Sequence, residues 1–103
     1  MSLSTHILDT ERGEPASGVP VLLERLVGAE WARVASGTTG GDGRLGDFVP
    51  DGQWGAGRYR LTFTTGGVFF PEVSVVFEVT APDRHHHVPL LLSPYGYTTY
   101  RGS

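Results

Sequence analysis

Alternation is the pattern that most constrains this chain. In Arg58-Tyr59-Arg60-Leu61-Thr62-Phe63-Thr64 every second residue is apolar, and in Glu72 to Thr80 the residues Val73, Val75, Phe77 and Val79 share one face, with Val76 the exception. Successive side chains of a strand point to opposite faces, so a period of two filled by β-branched and aromatic residues specifies half-buried strands. Leu3–Asp9, Val19–Val27, Trp31–Ser36, Arg44–Phe48, His86–Leu92 and Tyr97–Arg101 read as further, less regular strands. Arg12-Gly13-Glu14-Pro15, Gly40-Gly41-Asp42-Gly43 and Ser93-Pro94-Tyr95-Gly96 supply turn chemistry between them, and Asp51–Gly57 is the longest loop. With 15 glycines and 7 prolines in 103 residues, no amphipathic helix emerges. The expectation is one all-β domain over residues 1–103, a sandwich of two antiparallel sheets with about eight strands.

Composition removes several kinds of chemistry. There is no cysteine, hence no disulfide framework, thiolate nucleophile or Cys-bound metal centre. All 8 basic residues are arginine, so Schiff-base chemistry and a P-loop lysine are excluded. A net charge of −3 argues against nucleic acid as a partner. No apolar run is long enough to span a membrane, and Met1-Ser2-Leu3-Ser4-Thr5-His6 does not read as a signal peptide, so a cytoplasmic location is expected.

The 4 histidines fall in two places, His6 and the run His85-His86-His87. Alternation puts His6 on one face with Ser4 and Leu8, opposite Leu3 and Ile7. In the second strand His85, His87, Pro89 and Leu91 share a face, and His86, Val88, Leu90 and Leu92 take the other. A lone strand histidine is commonly a tolerated surface residue. A zinc site is the alternative, with His85 and His87 about 6–7 Å apart along one face and His6 as a third ligand. Arg44, leaving the Asp42-Gly43 turn, is either a solvated loop residue or a planar donor for an anionic or carbonyl-rich ligand. The terminal Tyr97-Thr98-Thr99-Tyr100-Arg101-Gly102-Ser103 keeps a strand-like pattern to its last residue, where fraying is the norm.

Leu3-Ser4-Thr5-His6-Ile7-Leu8-Asp9, Gly13 to Pro20, Asp42-Gly43-Arg44, His85-x-His87-Val88-Pro89-Leu90-Leu91-Leu92-Ser93-Pro94 and the terminal Tyr-Arg-Gly-Ser resemble the 5-hydroxyisourate hydrolases, transthyretin-like enzymes of urate breakdown. The resemblance runs from residue 3 to residue 103. Its most specific mark is Tyr100-Arg101-Gly102-Ser103, which separates the enzymes from the hormone-carrying transthyretins.

The resemblance implies a transthyretin-like sandwich that assembles as a homotetramer, a dimer of dimers, with active sites in the channel between facing dimers. It assigns His6, Arg44, His87 and Ser103 to catalysis, and His6, Arg44, Tyr100, Arg101 and Gly102 to substrate binding. It implies hydrolysis of 5-hydroxyisourate to 2-oxo-4-hydroxy-4-carboxy-5-ureidoimidazoline by histidine-activated water attack on the lactam carbonyl, without a cofactor. The absence of thiol and amine nucleophiles agrees with water in that role. Departures are His86 where an aromatic residue is usual, Thr98 where serine is commoner, and a short Thr64–Pro71 connection that has lost most of the family's helix. The rival functions are a non-catalytic small-ligand carrier and the zinc-binding sandwich of His6, His85 and His87.

Overall fold

A computed structural model describes residues 2–103, and every regular element in them is a strand. Met1, the first residue of the expected domain, lies outside the described residues. The elements are β1 (Leu3–Asp9), β2 (Glu14–Pro15), β3 (Pro20–Val27), β4 (Glu30–Thr38), β5 (Arg44–Gly46), β6 (Gly57–Phe63), β7 (Val73–Val79), β8 (His86–His87), β9 (Leu90–Ser93) and β10 (Gly96–Thr99). They form a six-stranded sheet centred on β1 and a four-stranded sheet in the order β4-β3-β6-β7.

The alternation is realised as burial. In β1, Leu3, Thr5 and Ile7 are sealed in the core, while Ser4, His6 and Leu8 on the opposite face are only partly covered. In β6, Tyr59, Leu61 and Phe63 are fully buried against Leu23, Val73, Val79 and Leu90 from both sheets. Each such side chain contributes about 1.5–3 kcal/mol through removal from water, so the core sets which face of β1 remains outside. Thr5 is tolerated inside because its hydroxyl donates to the Val88 carbonyl at 2.6 Å.

Four details depart from the simplest reading of the sequence. The His86–Leu92 run is two short strands, because Pro89 has no N–H to continue the ladder. The β1 sheet is antiparallel-rich but mixed, since β8 and β9 run parallel to β1, with Ser4 opposite His87 and Leu8 opposite Leu91. The irregular pattern of β3 reflects a bulge beside Leu23 and Glu24, where Val34 of β4 is the extra residue. The last strand ends at Thr99, short of the expected Arg101.

The short connection between β6 and β7 is helix-free, as its length suggested. It closes on itself through Gly66 N–H to the Pro71 carbonyl at 2.9 Å. Phe69 stacks edge-on against Phe70 and Tyr95, and Phe70 against Tyr97, tying this loop to the β9–β10 turn.

Candidate active site

The outer face of β1 gathers the histidines. Directly paired residues of neighbouring strands project from the same face, with Cβ atoms about 4.5–5.5 Å apart. His6 is paired with Arg44 of β5, and two residues earlier Ser4 is paired with His87 of β8. Three strands therefore deliver His6, Arg44, Ser4 and His87 to one patch, from segments that are 38 to 83 residues apart along the chain.

The Arg44 side of the patch depends on a tight turn. Gly40 N–H donates to the Arg44 carbonyl, and Gly43 N–H to the Gly40 carbonyl, both at 2.9 Å. Gly43 has a φ of 76°, and a Cβ there would stand 2.6 Å from the Ile7 carbonyl oxygen. Only glycine lets the turn lie this close to β1, and the Gly43 carbonyl in return accepts the Ile7 N–H at 2.9 Å. Asp42 then serves twice. Its carboxylate accepts the Arg44 N–H at 3.0 Å, and its main-chain carbonyl lies 3.0 Å from His6 Nε2. A carbonyl only accepts, so Nε2 of His6 carries hydrogen, and neutral His6 keeps its lone pair on Nδ1. Arg44 makes no ion pair with a described residue, which leaves its guanidinium to meet a ligand.

On the other side, the Ser4 hydroxyl lies 2.8 Å from His87 Nδ1 and 2.8 Å from His85 Nε2. Burial holds the His87 imidazole below its ordinary pKa of 6.5; the charges of Arg44, His85 and His6 act in the same direction, against a raising hydrogen bond to the Ser4 backbone. His87 is therefore neutral at pH 7, the state in which imidazole can accept a proton. His86 points inward, as alternation requires. It is buried, with Nδ1–H donating to the Arg84 carbonyl at 2.9 Å and its ring edge-on to Trp54.

The C-terminus folds onto His87. Gly102 N–H donates to the His87 carbonyl at 2.8 Å, forming an isolated antiparallel bridge. A Cβ on Gly102 would come within 2.4 Å of the imidazole Cδ2, so the close approach itself requires glycine. Tyr100 and Arg101 line, with His87 and Phe77, a cavity of about 230 Å³ at the open edge between β7 and the terminal segment. His6, Arg44 and Ser4 lie outside this cavity, so of the four patch residues His87 alone also lines it. Ser103 follows Gly102 and is exposed. The zinc alternative does not assemble: among the described residues no three metal-binding side chains could hold an ion, and His85 and His87 turn ring nitrogens toward one hydroxyl.

Residues 3–102 match the family described as HIUase/Transthyretin. The chain belongs to that family. Within it, the chain is 45% identical over 109 residues to a 5-hydroxyisourate hydrolase of Salmonella dublin, covering 98% of this chain and 80% of the relative. The HIUase/Transthyretin fold also fits solved structures. A Klebsiella pneumoniae 5-hydroxyisourate hydrolase superposes with a TM-score of 0.84 at 37% identity, covering all of both chains. Sea bream transthyretin in complex with thyroxine superposes with a TM-score of 0.92 at 30% identity, covering 99% of this chain and 95% of that one. Backbone similarity thus embraces both branches of the HIUase/Transthyretin family, and side chains must distinguish them.

Two participants in the patch were not singled out as site residues by sequence reasoning, Ser4 and the Asp42 carbonyl. Alternation did put Ser4 on the face of His6, but a strand serine is too ordinary to attract notice. A main-chain carbonyl leaves no signature in sequence at all.

Proposed function

We propose that this chain is an enzyme that hydrolyses 5-hydroxyisourate to 2-oxo-4-hydroxy-4-carboxy-5-ureidoimidazoline in urate breakdown, with residues 1–103 acting as a single hydrolase domain. The observation that carries the reading is the pairing of His6 with Arg44 beside that of Ser4 with His87, capped by Gly102. Hydrolysis of a lactam needs an activated water, support for the developing oxyanion and a proton for the leaving nitrogen. Two imidazoles held through different ring nitrogens suit the first and last needs. In this scheme His6 and His87 position the water and move its proton, and Arg44 holds the carbonyl and anionic edge of the substrate. Tyr100, Arg101 and Gly102 shape the substrate site, and Ser103 joins the catalytic groups. The scheme draws on no cofactor.

A homotetramer, a dimer of dimers, belongs to the proposal. Its support is the contrast between the two outer faces. The β6 side of the second sheet is occupied by Arg60–Glu24, Arg58–Glu78 and the stacking of Arg60 on Trp31. The outer face of the β1 sheet instead offers Leu8 and Leu91 beside the histidines, both half-covered. β7 and β10 each pair on one edge only, and such edges invite another copy. The described residues contain no helix long and apolar enough to cross a membrane, and the cytoplasm is the proposed compartment.

The carrier reading draws on the superposition with a thyroxine-bound transthyretin. A carrier has no need of the Gly102 contact with His87 or of an unpaired arginine opposite His6, and this favours the hydrolase. Incubation with 5-hydroxyisourate made in place by urate oxidase tests the choice. A hydrolase accelerates substrate loss over spontaneous decay, whereas a carrier leaves the decay unchanged.

A further inference from the structure

We propose that Ser4 is a positioning residue for His87, linking it to His85 as a three-membered proton relay that ends at an exposed imidazole. The inference rests on the hydrolase reading in which His87 accepts a proton from water. Ser4 Oγ is 2.8 Å from His87 Nδ1 and 2.8 Å from His85 Nε2. A hydroxyl has one hydrogen to give and lone pairs to receive another. With that hydrogen directed at His85 Nε2, Oγ receives the Nδ1–H of His87. The lone pair of His87 then lies on Nε2, the tautomer that can act as a base. The hydroxyl acts beside the Ser4 main chain, whose own hydrogen bond with His87 favours a protonated ring.

The relay also answers a difficulty of charge. Burial and the neighbouring Arg44 oppose an imidazolium at His87, with His6 and His85 adding to the opposition. Glu78, Tyr100 and Arg101 line the adjoining cavity. His85, by contrast, is exposed to solvent. When water attacks, one O–H bond of the water breaks and an N–H bond forms at His87 Nε2. The N–H bond at His87 Nδ1 breaks as an O–H bond forms at Ser4. The original O–H bond of Ser4 breaks as an N–H bond forms at His85 Nε2. Ser4 and His87 finish neutral, and the positive charge rests on the solvated ring. Running the same steps backwards returns a proton from His87 Nε2 to the leaving nitrogen.

Ser4→Thr keeps the hydroxyl, and Ser4→Val replaces it with a methyl of like shape; both suit a strand. The expected result is kcat within about threefold of wild type for Ser4→Thr and about 10- to 100-fold lower for Ser4→Val, with KM changed less than about twofold. Long-range ¹H–¹⁵N spectra of the unaltered protein should show His87 protonated on Nδ1, a signature lost in Ser4→Val. Full kcat in Ser4→Val, or His87 protonated on Nε2 in the unaltered protein, overturns the relay. If Ser4→Val does not fold, Ser4→Ala and the wild-type spectrum carry the same test. His87→Ala separates the two levels: full activity there removes His87 from the chemistry altogether, whereas its loss alongside an active Ser4→Val removes the relay alone.

Discussion

Gly102 lies against the imidazole of His87, with its N–H on the His87 carbonyl at 2.8 Å and room for no side chain between the two. Gly102→Ala must push the terminal segment or the ring aside, because the added methyl would meet ring carbons and not a flexible tip. The bridge is peripheral to the core, so the thermal midpoint should move little. Activity should fall at least about tenfold through misplacement of the reacting groups. Steady-state kinetics beside a melting curve checks both halves of this expectation.

Gly43→Ala should act through stability as well. The residue must adopt a positive φ and would stand 2.6 Å from the Ile7 carbonyl oxygen, a backbone atom that cannot swing away. Strain of this kind costs about 1–3 kcal/mol, and about 1 kcal/mol moves the midpoint of a chain this size by roughly 4–8 °C. Differential scanning calorimetry should therefore find a drop of several degrees or more, with His6–Arg44 geometry disturbed and activity reduced.

The acid limb of the kcat/KM profile should lie below pH 6.5, since burial and then Arg44 lower the His87 pKa from that value. Only the neutral ring accepts a proton, so activity is held at neutral pH and falls as pH drops through the lowered value. The linkage has the same sign. The unfolded chain binds this proton more readily than the folded one, so stability is retained above pH 6.5 and declines below it. Rates measured across the acid range check the first statement, and urea midpoints over the same range check the second.

Much of the site was legible because alternation alone separates Leu3, Thr5 and Ile7 from Ser4, His6 and Leu8. The same rule turns His86 inward between His85 and His87. Pairing was less legible. That β1 runs parallel to β8 and β9 depends on contacts more than 80 residues apart, which no local pattern encodes. Pro89 did carry a local signal for the break between β8 and β9, yet the apolar run around it reads as continuous. The bulge at Val34 depends on how β3 and β4 twist together. Roles borne by backbone groups, such as the Asp42 carbonyl on His6, are invisible to side-chain reasoning.

The most direct measurement is the loss of near-ultraviolet absorbance of 5-hydroxyisourate generated by urate oxidase, with this protein and with His6→Ala, Arg44→Ala and His87→Ala. The account predicts decay well above the spontaneous rate for the unaltered protein, and a reduction of about 100-fold or more in each variant. A rate equal to the blank with the unaltered protein, or full turnover in all three variants, would contradict it.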